Sequence, residues 1–265
     1  MAYKDKLEDL KSKLSKKDKL LIAYSGGVDS SLLAKVATDV LGANALCVML
    51  DMEAVPRSEL HHAIDLAKAL GLNLRVAKCP LFGEQGFIEN LPNRCYLCKK
   101  VCIRILKRMA EAEGISWIAD GVNMSDYKDY RPGIAACDEE GIWHPLVEAE
   151  ISKEDIRAIC RSMELPFWSR PSAACLASRI PYNEKITKEK LTMIEQAEEY
   201  LKAQGFSQVR VRAHGPIARI EVPKDEMEKV SKSGDEIAKE LKRVGYRYVT
   251  LDLEGFRSGS MNEVL

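Results

Sequence analysis

The chain has no net charge: its 265 residues carry 40 Lys plus Arg against 40 Asp plus Glu. Without a global basic field nothing draws nucleic acid in over distance, and no nucleic-acid partner is expected. The chain also lacks any apolar run near the ~20 residues that cross a bilayer. Lys4 to Lys19 reads as a charged helix rather than a secretory signal. The expectation is a cytoplasmic protein with no membrane partner. Internal repeats and low-complexity segments are missing too. What remains is the composition of an ordinary globular protein, long enough for one large domain or two modest ones.

Cysteine is not scarce. The chain has eight, and a reducing compartment argues against disulfides. Cys47, Cys79 and Cys160 sit in apolar strand or helix contexts and read as small buried hydrophobes. Cys95, Cys98 and Cys175 do not read that way.

Ser25-Gly26-Gly27-Val28-Asp29-Ser30-Ser31 follows an apolar run, Leu20 to Tyr24, and precedes apolar residues at helical spacing from Ser31 to Val40. A small glycine turn between a strand and a helix presents backbone N–H groups at the positive end of the helix, which is a phosphate cradle. Ser25 and Ser30 can add hydroxyl donors around Gly26 and Gly27, and Asp29 is placed to hold Mg²⁺ against phosphate oxygens. No lysine follows the glycines, so this is neither a Walker loop nor a G-x-G-x-x-G turn. The pattern S-G-G-x-D-S resembles the PP-loop of ATP pyrophosphatases, which implies ATP cleaved between its α and β phosphates. A plain glycine turn with a capping serine is the simpler alternative.

Strand and helix signals alternate: strand Ala45 to Leu50 closed by Asp51, helix Arg57 to Leu70, strand Asn73 to Ala77, helix Cys98 to Glu113, strand Ser116 to Ala119. A capping-box-like pattern opens another helix at Ser152. This order predicts an α/β fold, a parallel sheet with helices on both faces and its ligand site beyond the carboxyl ends of the strands. From about Pro181 the rhythm changes to helix Lys188 to Lys202, strands Gln208 to Arg212 and Ile217 to Val222, a helix Lys224 to Arg243 and a strand Tyr246 to Leu253. The expected division is residues 1–180 as the nucleotide domain and residues 181–265 as a small α+β domain.

Asp51, at a strand end, suits a ribose or adenine contact or a solvated loop. The loop Asp120 to Asp126, running on to Asp129-Tyr130-Arg131-Pro132-Gly133, offers polar groups to a nucleotide or to water. Cys95-Tyr96-Leu97-Cys98 opens a helix, where the dipole and Arg94, Lys99 and Lys100 would favour thiolates. Four readings stay open for it: a redox dithiol, half a zinc site, part of an iron–sulfur cluster, or a structural pair. A zinc site needs a second C-x-x-C or an H-x-x-x-H, and the chain has neither. Cys102, one helical turn after Cys98, is a candidate third ligand. Cys175 lies among small residues between Pro171 and Pro181, with Ser178 and Arg179 following, as in a reactive-thiol loop or a buried cysteine at a domain junction. Arg210 and Arg212, two apart on a strand, point the same way and suit a phosphate or a carboxylate, or else pair with acids such as Glu221. The four histidines form no pattern.

Taken in order, Ser25–Ser31, Arg94–Lys99, Asp129–Gly133, Ala174–Tyr182, Arg210–Arg212 and Tyr248–Gly255 resemble the LarE family of ATP-dependent sulfurtransferases of nickel-pincer cofactor biosynthesis. Ala149-Glu150-Ile151 stands where that family often has a glycine turn, and Asn183 where glycine is usual. The resemblance implies that the carboxylates of pyridinium-3,5-biscarboxylic acid mononucleotide are adenylated by ATP and converted to thiocarboxylates. It implies Arg210 and Arg212 on the substrate phosphate, and Lys99 and Ser178 near AMP or substrate. For the sulfur it implies two forms. In one, Cys175 is sacrificed and left as dehydroalanine. In the other, Cys95, Cys98 and Cys175 hold a [4Fe–4S] cluster with one iron open for a labile sulfide, which a sulfide or persulfide donor reloads. The retained C-x-x-C selects the cluster form. A homo-oligomer, a hexamer in the family, is implied as well. A PP-loop tRNA thiolase and a non-catalytic nucleotide or metal–sulfur carrier are the rivals.

Overall fold

In chain order the elements are α1 (Tyr3–Ser15), β1 (Leu20–Ala23), α2 (Val28–Leu41), β2 (Ala45–Asp51), α3 (Arg57–Ala69), β3 (Asn73–Lys78), α4 (Gln85–Ile88), α5 (Arg94–Ala112), β4 (Ile118–Ala119), α6 (Pro132–Glu139), α7 (Pro145–Glu148), α8 (Lys153–Ser162), α9 (Lys188–Ala203), β5 (Arg210–His214), β6 (Ile217–Glu221), α10 (Met227–Lys232), α11 (Gly234–Val244) and β7 (Tyr248–Leu251). This computed structural model describes residues 2–128, 132–171, 174–257 and 259–263, with the side chains of residues 128 and 262 left aside. They fall into two units, Met1–Leu81 with Cys95–Ala173 and Phe82–Arg94 with Ala174–Leu265.

The first unit is built on a parallel sheet of order β3-β2-β1-β4. Side chains alternate across a strand, and here the alternation sorts two cores. Leu20, Ile22, Ala45, Cys47 and Met49 pack with α1, α2, α3 and α8 on one face. Leu21, Leu46 and Val48 pack with α5 and α6 on the other. The predicted α/β architecture is therefore present, with helices on both faces. β4 is short, and Trp143 extends the sheet beyond it by a single parallel bridge to Ala119. Glu150 takes a φ of 53°, so the conformation that glycine usually supplies is kept without glycine.

The second unit holds a three-stranded sheet of order β5-β6-β7, antiparallel between β5 and β6 and parallel between β6 and β7. The single helix expected from Lys224 to Arg243 is broken at Ser233-Gly234 into α10 and α11. The unit also reaches back in sequence. Asn90, fully buried, donates its side-chain N–H to the carbonyls of Ile180 (3.2 Å), Pro181 (2.7 Å) and Glu184 (3.1 Å). Those bonds place residues 82–94 with the second unit, which the change of rhythm at Pro181 did not signal.

Candidate active site

β1 ends at Ala23 and α2 begins at Val28, so the glycine turn lies at the carboxyl end of the central strand. Gly26 has a φ of 74°, and a β-carbon there would come within 2.4 Å of that of Ala63. Both facts demand glycine. Arg170 donates to the Gly26 carbonyl (3.3 Å) and pairs with Glu59 (2.6 Å), fixing the turn from outside. Inside it, the Ser25 and Ser30 hydroxyls are 3.0 Å apart, and Ser30 also donates to the Gly27 carbonyl (3.1 Å). The first helical bond runs from the Ser31 N–H to the Gly27 carbonyl, so the N–H groups of Val28 to Ser30 sit at the start of α2, where an anion is favoured. Gly121 closes the far side: a β-carbon there would lie 2.7 Å from the Ser30 nitrogen.

The cation that the motif itself lacks comes from elsewhere in the unit. Lys153, the first residue of α8, places its ammonium on Asp29 Oδ1, while Asn123 donates to Asp29 Oδ2 (3.4 Å). Ser152 caps α8 by accepting from the Asp155 N–H (3.2 Å), and Ser125 Oγ accepts from the Lys153 N–H (3.0 Å). Lys153 is thus delivered to the mouth of the turn from 124 positions along the chain, and no local motif announces it. Asp51, nearly buried at the end of β2, is paired with Arg57 and Lys78, each at 2.5 Å. Burial raises its pKa, but hydrogen bonds from Lys78 and Arg57 hold it below the ordinary carboxylate range.

Asp120 follows β4 and is buried with a run of partners. It accepts from His144 Nδ1 (2.7 Å) and lies 3.5 Å from the Lys99 ammonium, while the His144 Nε2 reaches Asp138 (3.1 Å). Burial alone would push the carboxyl up; His144 and Lys99 overcome it and hold Asp120 low. Burial would likewise push His144 down, but its bond to Asp120 carries it above the usual imidazole range. No motif points to His144, because its partners are joined only by the fold. Of the loop that follows, Asp129, Tyr130 and Arg131 lie outside the described residues.

Cys95 is exposed and Cys98 half-exposed on the first turn of α5. The cations expected to flank them are engaged with other partners. Arg94 is buried and donates to Asn90 and to the Ala177 carbonyl (3.0 Å). Lys99 faces Asp120, and Lys100 pairs with Glu139 (2.7 Å) and Glu140 (2.9 Å). Cys102 is buried, and its hydrogen bond to Cys79, together with burial, pushes its thiol up to about 12. Buried against Cys79 at 4.0 Å, Cys102 is the weaker candidate for a ligand beside the more exposed Cys95 and Cys98.

In the second unit Cys175 is exposed at the head of a single helical turn, Leu176–Arg179. Buried guanidinium groups hold the carbonyls of that segment. Arg179 donates to Ala174 (2.8 Å) and Cys175 (3.0 Å), Arg94 to Ala177 and Arg212 to Ser178 (3.2 Å). Arg179 is itself gripped in two parallel bonds by Glu198 (2.8 and 2.9 Å), both side chains 2% exposed. The Ser178 hydroxyl donates back to the Cys175 carbonyl (2.7 Å). The turn that carries the thiol is fixed through its backbone; the thiol is not enclosed.

The two strand arginines differ. Arg212 is buried and paired with Glu221 (2.7 Å), although register places Glu221 opposite Arg210. Arg210 donates to the Val209 carbonyl (2.9 Å), stacks on Phe256 at 5.4 Å and has no carboxylate partner among the described residues. Burial and the neighbouring Arg179 lower its pKa to about 10. Of the two strand arginines, Arg210 is therefore the one with no carboxylate at ion-pair distance among the described residues. Among the described residues no group of three or more His, Cys, Asp or Glu is gathered for a metal ion.

A parallel sheet with a glycine turn at the start of α2 and a carboxylate and a cation at its mouth defines a PP-loop nucleotide-binding enzyme. The family model for NAD synthase matches residues 2–80, the segment that carries this turn. An uncharacterized protein of Synechocystis sp. is 42% identical over 98% of this chain and 98% of its own. The pyridinium-3,5-bisthiocarboxylic acid mononucleotide synthase of Lactiplantibacillus plantarum is 37% identical over 93% of this chain and 90% of its own. An uncharacterized protein of Methanocaldococcus jannaschii is 34% identical over 97% of this chain and 100% of its own. The chain belongs to the LarE family of ATP-dependent sulfurtransferases.

Proposed function

We propose that this enzyme adenylates the carboxylates of pyridinium-3,5-biscarboxylic acid mononucleotide and converts them to thiocarboxylates. The observation that carries the reading is the start of α2, with Asp29 and Lys153 at its mouth, in a chain that aligns over 93% of its length with the bisthiocarboxylic acid mononucleotide synthase. A substrate carboxylate oxygen attacks the α-phosphorus, the bond to the β-phosphate breaks, and pyrophosphate leaves. The acyl adenylate then carries AMP as leaving group, and a sulfur nucleophile at the carbonyl carbon expels it. Ser25, Gly26, Gly27 and Ser30 cradle the phosphates. Asp29 would hold Mg²⁺, which when bound would neutralise phosphate charge, and the Lys153 ammonium beside it stabilises the departing pyrophosphate. Asp51 lies toward the ribose or adenine, Lys99 and Ser178 toward AMP or substrate, and Arg210 holds the substrate phosphate with Arg212 behind it.

For the sulfur we propose that Cys95, Cys98 and Cys175 hold a [4Fe–4S] cluster. The donor set suits one: three solvent-reachable thiols, two spaced as C-x-x-C at a helix start and one on a turn fixed by its backbone. The cluster, when bound, would supply the transferable sulfide. The protein's part is to present thiolates and leave one iron without a protein ligand. Cytoplasmic location and a homo-oligomeric assembly complete the proposal.

Arg210 tests the substrate assignment. R210Q should raise KM for the pyridinium mononucleotide at least tenfold, about the worth of one charge-assisted pair, while ATP binding is unchanged. Equal loss of both would contradict it, and pyrophosphate release that depends on tRNA instead would favour a thiolase.

A further inference from the structure

The first unit holds two buried thiols, Cys79 and Cys102, that the sulfur-transfer reaction does not use and that meet one another beside Cys98. Cys98 is half-exposed on the first turn of α5. One turn on, the Cys102 thiol lies within hydrogen-bonding reach of Cys98. The Cys102 sulfur is in turn 4.0 Å from that of Cys79, the residue following β3, and 3.6 Å from the Met52 sulfur. Cys79 is 0% and Cys102 8% exposed. Three thiols thus run from solvent into the core between a strand end and a helix. A neutral buried thiol could equally be plain core, but then nothing requires two of them to meet sulfur to sulfur.

We propose that Cys79 and Cys102 are a resolving dithiol for Cys98. A disulfide needs its sulfurs at about 2.05 Å, so Cys79 and Cys102 must close a gap of about 2 Å. The transient Cys98–Cys102 link joins residues four apart on α5, whose Cβ atoms stand ~5–6 Å apart in an intact helix, and it forms as the start of α5 opens. The oxidant is a peroxide, and Cys98 is the most exposed thiol of the three. Hydrogen peroxide transfers an oxygen to that sulfur, giving the sulfenic acid and water. The Cys102 thiol attacks the sulfenic sulfur; the S–O bond breaks, a second water leaves with the thiol proton, and a Cys98–Cys102 disulfide forms. Cys79 then attacks the Cys102 sulfur, passes its proton to the departing Cys98, and leaves a Cys79–Cys102 disulfide. The net change is two thiols and one peroxide to one disulfide and two waters. Cys98 returns as a thiol, protected from the irreversible sulfinic stage, and an external dithiol reductant resets the buried pair by exchange.

The test uses the metal-free full-length chain, reduced, desalted and treated with one equivalent of hydrogen peroxide. It is then unfolded in a maleimide and mapped by non-reducing peptide mass spectrometry. The expected product links Cys79 to Cys102 and carries maleimide on Cys98. In C79S the link should stop at Cys98–Cys102, and in C102S, given a second equivalent of peroxide, Cys98 should proceed to the sulfinic acid. Wild-type chain in which Cys79 and Cys102 are both alkylated, with Cys98 over-oxidised or joined to Cys95, overturns the proposal. That wild-type outcome decides it even where a variant fails to fold.

Discussion

At the level of single residues, the turn at Ser25 was legible because its chemistry is local: glycines, serines and Asp29 are neighbours in sequence. Lys153 and His144 were not, because each acquires its meaning only from a partner brought by the fold, Lys153 from Asp29 and His144 from Asp120. The missing lysine of the motif has thus moved to another helix. K153M should lower the rate of pyrophosphate release by roughly a hundredfold, the scale for removing a charge that meets the transition state. K153R should restore most of it; the check is a phosphate-coupled assay at saturating ATP. The Asp120–His144 pair makes a second prediction. His144 is held above the imidazole range by Asp120 against burial. In D120N its pKa should therefore fall, with Asp138 left as the carboxylate opposing burial, as followed by NMR of the ring protons. The stability due to this raised group is full below the ordinary imidazole pKa and lost as pH rises through the raised one. D120N should weaken that dependence, leaving the share due to Asp138.

At the level of elements, the strands and most helices followed from their patterns, since β1 and β2 are continuous apolar runs and α5 and α9 are long and periodic. The break at Ser233-Gly234 was missed because charged residues on both sides keep helical spacing through it. The return of residues 82–94 to the second unit was invisible for another reason: Asn90 and Arg94 act through bonds to carbonyls, and any residue supplies a carbonyl. Arg210 and Arg212 read as a matched pair, yet Glu221 pairs with Arg212 and with Arg219 on its own strand, and not with Arg210. The buried Arg179–Glu198 pair holds the Cys175 segment in position. E198Q should cost about 3 kcal/mol, the penalty of leaving a buried charge unpaired, measured by urea denaturation. Burial raises the pKa of Glu198, yet Arg179 and the Val211 N–H hold it low. Its contribution is present above the ordinary carboxylate pKa and lost as pH falls through the depressed value. The wild type should therefore lose more stability in acid than E198Q does.

At the level of the whole molecule, the shared and the particular separate along the chain. The NAD synthase family model ends at residue 80, so the segment it covers carries nucleotide chemistry common to many products. The thiols at 95, 98 and 175 and the arginines of β5 lie beyond it, in the part aligned with the bisthiocarboxylic acid mononucleotide synthase. No described helix is long and apolar enough to cross a membrane. On the proposed reading the turn at Ser25, with Lys153, serves activation, and the thiols and arginines beyond residue 80 decide what is made. Mass analysis of the product tests that division most directly. Incubated anaerobically with ATP, Mg²⁺ and pyridinium-3,5-biscarboxylic acid mononucleotide, the iron-loaded enzyme should release pyrophosphate and AMP and return the nucleotide with a carboxylate oxygen replaced by sulfur. Pyrophosphate release that does not require the mononucleotide, or a product without sulfur, would contradict the account.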